Sequence, residues 1–169
     1  MIGHLLPVLL TAAAALGAEP AQASLCPQAE RFRPLTVTTL CLINDVRARH
    51  GLRALRPDSR LERAARRHSR DMVARRYFAH TSPSGLTPRV RIRASGWMRG
   101  RPAWTIGETL AWRSGAATPG RIVRMWLASP GHRRVLLDGR YRAAGIGIAD
   151  GTPYRGARGG ATYTADFGS

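Results

Sequence analysis

The apolar and polar positions in the first half of the chain predict two long helices. The first covers residues 35–50 and ends before Gly51, and five of its residues share one side: Val37, Leu40, Cys41, Ile43 and Asn44. The second follows Ser59, which we expect to cap it, and its apolar face is predicted from residues that recur at helical spacing: Leu61, Ala65, His68 and Met72. The arginines of this segment fall largely on the other side, so one face is predicted to be buried.

A capping residue followed by proline occurs three times in the second half, at Thr87-Pro88, Thr118-Pro119 and Ser129-Pro130. This order is typical of a helix start, because proline suits the first helical turn and a hydroxyl can accept a free N–H there. We therefore predict three short helices, one beginning at Pro88 and two over residues 121–128 and 131–137. Residues 77–85 contain Ser-Pro-Ser-Gly and are predicted to form a turn.

Two segments near the end of the chain alternate in the way that strands do, residues 143–149 and 161–167. The Gly-rich residues 150–160 join them, which predicts an antiparallel hairpin. A third, weaker strand is predicted over residues 104–111. Helices on both sides of a small antiparallel sheet make an α+β fold, a three-layer α/β/α sandwich.

The start of the chain is predicted to be an export signal. Residues 5–18 are an apolar run, and Ala21-Gln22-Ala23 follows as a small-x-small cleavage site, although no arginine or lysine precedes the run. The run is too short to cross about 30 Å of hydrocarbon as a helix, so we expect cleavage after Ala23 and no transmembrane anchor. Residues 24–34 are then an N-terminal arm, and residues 35–169 form one domain of a secreted, monomeric protein.

The chain has two cysteines, Cys26 and Cys41. Because an exported chain meets an oxidising environment, we expect them to form a disulfide that joins the arm to the first helix. Closing a loop of about 15 residues stabilises a fold by roughly 3 kcal/mol in the chain-entropy model. Two unpaired thiols remain an alternative. Lipidation of Cys26 is a further one, although Leu25 stands where a small residue is expected.

The charge of the chain is strongly positive and comes from arginine alone. Without residues 1–23, which contain Glu19, 27 arginines face nine acidic residues, a net charge of +18. Such a field favours anionic lipids or wall polymers as partners, while arginine without lysine also fits a coding bias acting on a solvated surface. Nucleic acid is not expected as a partner, because export separates the protein from it and aromatic residues make up only 7% of the chain.

Five residues that can carry chemistry stand apart from the arginines: His68, His80, Glu108, Ser129 and His132. His68 lies on the apolar face of the second helix and is predicted to be a hydrogen-bonded core histidine. Ser129 precedes a helix and is predicted to cap it. Glu108 is a single carboxylate in an apolar stretch and needs a partner if buried. No local ligand motif links them, since 28 residues separate His80 from Glu108 and 24 separate Glu108 from His132.

The order of several motifs resembles the CAP superfamily, which comprises cysteine-rich secretory proteins, antigen 5 and the class 1 pathogenesis-related proteins, in its bacterial SCP-like form. The similarity runs from about residue 40 to residue 167. It rests on these segments, in chain order: Leu42-Ile43-Asn44, His50-Gly51-Leu52, Tyr77-Phe78-Ala79-His80-Thr81-Ser82-Pro83, Gly107-Glu108-Thr109-Leu110-Ala111, Ser129-Pro130-Gly131-His132-Arg133, Gly145-Ile146-Gly147-Ile148-Ala149 and Asp166-Phe167-Gly168.

The resemblance implies a central cleft with two histidines and two acidic residues, which can hold a divalent metal in some members. The histidines correspond to His80 and His132, and one acid corresponds to Glu108. The other acid would lie three residues after Trp126, where this chain has Ser129. We therefore expect a ligand cleft in which His80, His132 and Glu108 bind zinc weakly.

The expected function is binding rather than catalysis. We predict a secreted module for a lipid, sterol or anionic envelope ligand. One alternative is a zinc-dependent extracellular hydrolase with Glu108 as the base. Another is a basic antimicrobial or adhesion protein that acts through its Arg-rich surface.

Overall fold

The structure is a computed structural model that describes Cys26 and residues 34–169. The predicted signal segment and most of the predicted arm lie outside the described residues. Within them the order of elements is α1 (Leu35–Arg49), β1 (Arg56–Pro57), α2 (Ser59–Arg75), α3 (Pro88–Ala94), β2 (Ile106–Arg113), α4 (Pro119–Ala128), α5 (Pro130–Leu136), β3 (Ala143–Asp150) and β4 (Ala161–Gly168).

The four strands form one sheet in the order β1-β3-β4-β2. The β3–β4 hairpin is antiparallel, as predicted, and β2 pairs antiparallel with the other edge of β4. Strand β1 was not predicted; it contributes two residues, Arg56 and Pro57, which pair in parallel with β3. The third predicted strand exists but begins and ends two residues later than expected.

Helices cover both faces of the sheet, which confirms the α/β/α sandwich. Helices α1, α4 and α5 pack on one face, where the largest buried side chains include Ile43, Trp126 and Phe167. Helix α2 covers the other face and comes so close that a Cβ on Gly147 would lie 2.1 Å from the Ala65 carbonyl carbon. A Cβ on Gly145 would lie 2.0 Å from the Glu62 nitrogen. These two glycines therefore allow the close contact between β3 and α2.

The N-terminal caps differ in part from the prediction. Asp58, not Ser59, caps α2, and its carboxylate accepts the N–H groups of Arg60 and Leu61. Thr87 caps α3 as predicted, with Oγ1 3.3 Å from the Val90 nitrogen. Ser129 precedes α5 but makes no side-chain capping bond, so its predicted role as a hydroxyl cap is wrong. Ordinary backbone bonding, from the Arg133 N–H to the Ser129 carbonyl, begins that helix.

Helix α1 has a narrower buried face than predicted. Leu40 and Ile43 are buried, but Val37 is 43% exposed. Arg47 is fully buried instead, and its Nη1 donates to the carbonyls of Leu136 and Asp138, at 2.7 and 3.0 Å. An arginine side chain thus connects α1 to the end of α5, and a reading of apolar residues alone cannot predict such a contact.

The Cys26–Cys41 disulfide is confirmed, with the two Cα atoms 5.8 Å apart. It fixes Cys26 to the side of α1. Among Cys26 and residues 34–169, no helix has both the length and the apolar character needed to cross a membrane.

Candidate ligand-binding cleft

Glu108 lies in strand β2, and only 2% of its side chain is exposed. Its two oxygens have different partners. Oε1 is 2.7 Å from His80 Nδ1, and Oε2 is 2.6 Å from Nη2 of Arg91. The prediction that this buried carboxylate needs a partner is confirmed, and two partners are found.

His80 lies in the turn between α2 and α3, and 52% of its side chain is exposed. The turn is held by Ser82, whose Oγ accepts the Leu86 N–H and whose carbonyl accepts the Gly85 N–H. Because an ionised Glu108 can only accept, the Nδ1 atom of His80 carries the shared proton. The Nε2 atom of a neutral His80 then has a free lone pair.

Arg91 completes this cluster and was not singled out from the sequence. It lies on α3, and only 8% of its side chain is exposed. Besides Glu108, it contacts two carbonyls of the turn: Nη1 donates to His80 at 2.9 Å and to Leu86 at 2.5 Å. Arg91 therefore fixes both the carboxylate and the backbone that carries His80. In the sequence it looks like any of the 27 basic residues.

Asp166 is a second buried acid that was not singled out. In the β2–β4 register it lies opposite Glu108, so the two side chains share a face of the sheet. Burial, followed by the negative charge of Glu108, raises the pKa of Asp166 well above its ordinary value. Without a proton, neither oxygen of Asp166 has a hydrogen-bond partner among the described residues. With one, Asp166 can donate toward Glu108.

Glu108 is the ionised member of this pair. Burial raises the pKa of the Glu108 carboxyl, but the hydrogen bond with His80 and the charge of Arg91 outweigh it and hold that pKa below its ordinary value. The cluster therefore combines a guanidinium, a carboxylate and a protonated acid, and its buried charges are balanced.

His68 is a core histidine, as predicted. It is 1% exposed, and its Nε2 atom is 3.0 Å from the Ala79 carbonyl. Burial lowers the pKa of His68, so the neutral form is favoured. Its Nδ1 atom lies 3.4 Å from the hydroxyl of Tyr77, which donates to Asp71. His68 thus ties α2 to the turn that carries His80.

His132 and Ser129 line a pocket beside this cluster. The pocket has a volume of about 210 Å³, and the other lining residues are mainly apolar: Phe78, Leu110, Ala111, Trp112, Met125 and Trp126. His132 is half-buried. Burial, followed by the charge of His80, lowers the pKa of His132. The charge of His80 therefore reaches His132 and affects its pKa. His132 lies at the pocket wall, and His80 lies beside the Glu108 carboxylate.

The arrangement of these residues does not fit a metal ion well. Within Cys26 and residues 34–169, Cys26, Cys41 and Asp45 are the one group of three ligand residues with atoms within 4.8 Å of one another. The two sulfurs of that group are bonded to each other. At the predicted site, both oxygens of Glu108 are engaged, one of them by a cation. Zinc binding by His80, His132 and Glu108 stays a prediction.

Comparison with known proteins identifies relatives of this chain. Residues 40–167 match the family model of CAP, the cysteine-rich secretory protein family. The uncharacterized protein YkwD of Bacillus subtilis is 33% identical over 109 residues, which cover 64% of this chain and 40% of YkwD. The chain thus spans less than half the length of this curated relative.

Solved structures agree with the fold. An extracellular protein from Bacillus anthracis that contains an SCP domain has 28% identity and a TM-score of 0.64, over 79% of this chain and 39% of that one. A cysteine-rich secretory protein from Staphylococcus aureus shares the fold at 16% identity and a TM-score of 0.55, over 79% of this chain and 37% of that one. With the family model matching most of its length, the chain belongs to the CAP family of cysteine-rich secretory proteins.

Proposed function

We propose that the protein is an extracellular binding module for an anionic amphiphile of the cell envelope, such as a fatty acid or an acyl lipid. The apolar part of the ligand enters the pocket beside His132, and its anionic group stays outside among the arginines. The observation that carries the proposal is this open, mainly apolar pocket, which is lined by His132 and by Phe78, two residues before the half-exposed His80. The extracellular location is supported by the B. anthracis relative, which is described as extracellular.

The size of the pocket limits what it can hold. At about 210 Å³ it is smaller than the roughly 300–1,000 Å³ typical of sites that enclose a whole drug-sized ligand. It therefore suits one end of a longer molecule, such as a segment of an acyl chain. Met125 is 41% exposed at its edge, which leaves apolar surface for the next part of that chain.

A larger pocket elsewhere suits an anionic ligand less well. It has a volume of about 360 Å³ and lies between α1 and strand β3. Its lining contains Asp45, Asp58 and Glu62 but no arginine or histidine. A carboxylate or phosphate would meet like charges there, whereas the lining of the pocket beside His132 contains no acidic residue.

The hydrolase alternative needs a free base, and Glu108 is poorly placed for that role because both of its oxygens already accept hydrogen bonds. His80 Nε2 is the basic atom that the pair leaves available. Glu108 then orients His80 through the hydrogen bond at Nδ1. This alternative predicts that His80→Ala abolishes turnover of an ester substrate, whereas a binding module shows no turnover.

The proposal is tested by titrating the purified protein with dodecanoate in a calorimeter. Met125→Glu removes apolar surface and adds a negative charge at the pocket, so we expect affinity to fall about tenfold, or about 1.4 kcal/mol. Ala128→Glu is the matched control, because it adds the same charge to an exposed position of α4 outside the pocket lining. Equal effects of the two substitutions would mean that charge alone attracts dodecanoate, and the proposed pocket would be wrong.

A further inference from the structure

Arg91 places a positive charge beside the carboxylate of Glu108 in the cleft. We propose that its guanidinium takes the place that a divalent metal ion would need at Glu108, so that this cleft excludes zinc as long as Arg91 is present. This exclusion involves the cluster of His80, Arg91 and Glu108 and does not depend on which ligand the neighbouring pocket binds.

The contacts of Arg91 show that it is part of the wall. Its Nη2 atom lies 2.6 Å from Glu108 Oε2, while Nη1 is held by the carbonyls of His80 and Leu86. To leave, the side chain must give up three hydrogen bonds and abandon a buried carboxylate without its countercharge. A zinc ion arriving from solvent therefore cannot displace Arg91 easily.

The charge of Arg91 opposes a metal even if the side chain stays in place. A zinc ion that bound Oε1 of Glu108 would have to break the bond with His80 Nδ1, and it would lie close to the guanidinium on the same carboxylate. Two cations in a poorly solvated site repel strongly. The same residue types, histidine and carboxylate, thus form an ion-pair cluster here instead of a metal centre.

Removing Arg91 frees an oxygen of Glu108 that zinc can use. The other oxygen of Glu108 lies 2.7 Å from His80 Nδ1, so a carboxylate and an imidazole are already in contact at this point. Imidazole nitrogens and carboxylate oxygens are ordinary zinc ligands. Arg91→Met keeps most of the aliphatic length and removes the charge, and Arg91→Lys keeps a cation.

The test is zinc titration by calorimetry on the purified oxidised protein, in the absence of other ligands. We expect Arg91→Met to bind zinc at least tenfold more tightly than the unaltered chain, and His80→Ala in the same background to remove the gain. Arg91→Lys should stay close to the unaltered chain. Arg93→Met, at an exposed position on the same helix, is the control and should change nothing.

Two results would overturn the proposal. One is equal zinc affinity of the unaltered chain and Arg91→Met; the other is a gain that survives loss of His80. If Arg91→Met fails to fold, the proposal is tested on the unaltered chain by following its imidazole NMR signals during a zinc titration. Unchanged His80 signals at micromolar zinc support the proposal, and zinc-dependent shifts of His80 at that concentration refute it.

Discussion

Asp166 lies directly opposite Glu108 across the β2–β4 pair, so that two carboxyl groups face each other in the buried wall of the cleft. Two buried carboxyl groups can lie this close without strong charge repulsion because only one of them is ionised. Glu108 has the better partners, His80 and Arg91, while Asp166 keeps a proton. Asp166 lies in β4, a strand that the alternating pattern predicts, and Glu108 is the acid that the resemblance places in the cleft.

The first prediction concerns the pH dependence that Asp166 gives to stability. Because its pKa is raised in the folded state, folding retains a proton that the unfolded chain releases above about pH 4. The contribution of Asp166 is therefore fully favourable below that pH and is lost as pH rises through the folded pKa. Asp166→Asn cannot ionise, so it should be more stable than the unaltered chain at pH 7 and should lose this advantage at pH 3.5.

Urea unfolding at the two pH values measures the difference. Asp150→Asn, at the exposed end of β3, serves as the control for replacing a carboxyl group with an amide. If Asp166→Asn were less stable than the unaltered chain at pH 7, an ionised Asp166 would be favourable, and the account of the pair would fail.

The second prediction compares two helix starts. Asp58→Ala removes a carboxylate that accepts two N–H groups of α2, so we expect a loss of about 1 kcal/mol in the free energy of unfolding. Ser129→Ala removes no capping bond, and we expect a change below about 0.5 kcal/mol. Chemical denaturation of both variants checks this. A larger loss for Ser129→Ala than for Asp58→Ala would restore the capping role first expected of Ser129.

The third prediction tests the contact between β3 and α2. Gly147→Ala places a methyl group 2.1 Å from two backbone atoms of α2, Ala65 C and Arg66 N, so the helix must shift. We expect the free energy of unfolding to fall by about 3 kcal/mol or more, at or beyond the upper end of the range for overpacked cores. Gly131→Ala, which meets nothing within 4 Å, should change stability by less than about 1 kcal/mol. Thermal unfolding of the two variants provides the comparison, and equal melting temperatures would contradict the close packing.

The fourth prediction separates the arginine surface from the cleft. If the net charge drives attachment to membranes, binding to phosphatidylglycerol vesicles should weaken steeply between 0.1 and 1 M salt, as the Debye length falls from about 10 to about 3 Å. Met125→Glu should affect dodecanoate binding much more than vesicle binding. Vesicle binding that does not change with salt concentration would contradict an electrostatic contact and would favour insertion of apolar side chains into the membrane.

The parts of the fold with strong local signals could be predicted from the sequence. The spacing of Leu61, Ala65, His68 and Met72 matches the buried face of α2, and Glu108 stood out because it was one carboxylate in an apolar strand. Residues whose role depends on register or on a distant partner could not be found. Asp166 becomes a partner of Glu108 only when β2 pairs with β4.

Arg91 illustrates the other limit. It alternates with apolar residues on α3 as Arg89 and Arg93 do, so nothing local separates the buried guanidinium from the exposed ones. Arg91, rather than Arg89 or Arg93, contacts Glu108 because of the position that α3 takes in the tertiary structure. For the same reason the resemblance could suggest a zinc site without revealing the cation already bound to its carboxylate.

The proposal that the pocket beside His132 receives an acyl chain is tested most directly by NMR. Methyl groups of leucine and methionine are labelled, and the protein is titrated with dodecanoate. We expect shifts at Leu110 and Met125, which line that pocket, and none at Leu40 and Leu55, which line the larger pocket beside α1. Shifts at Leu40 and Leu55, with Leu110 and Met125 unchanged, would contradict it.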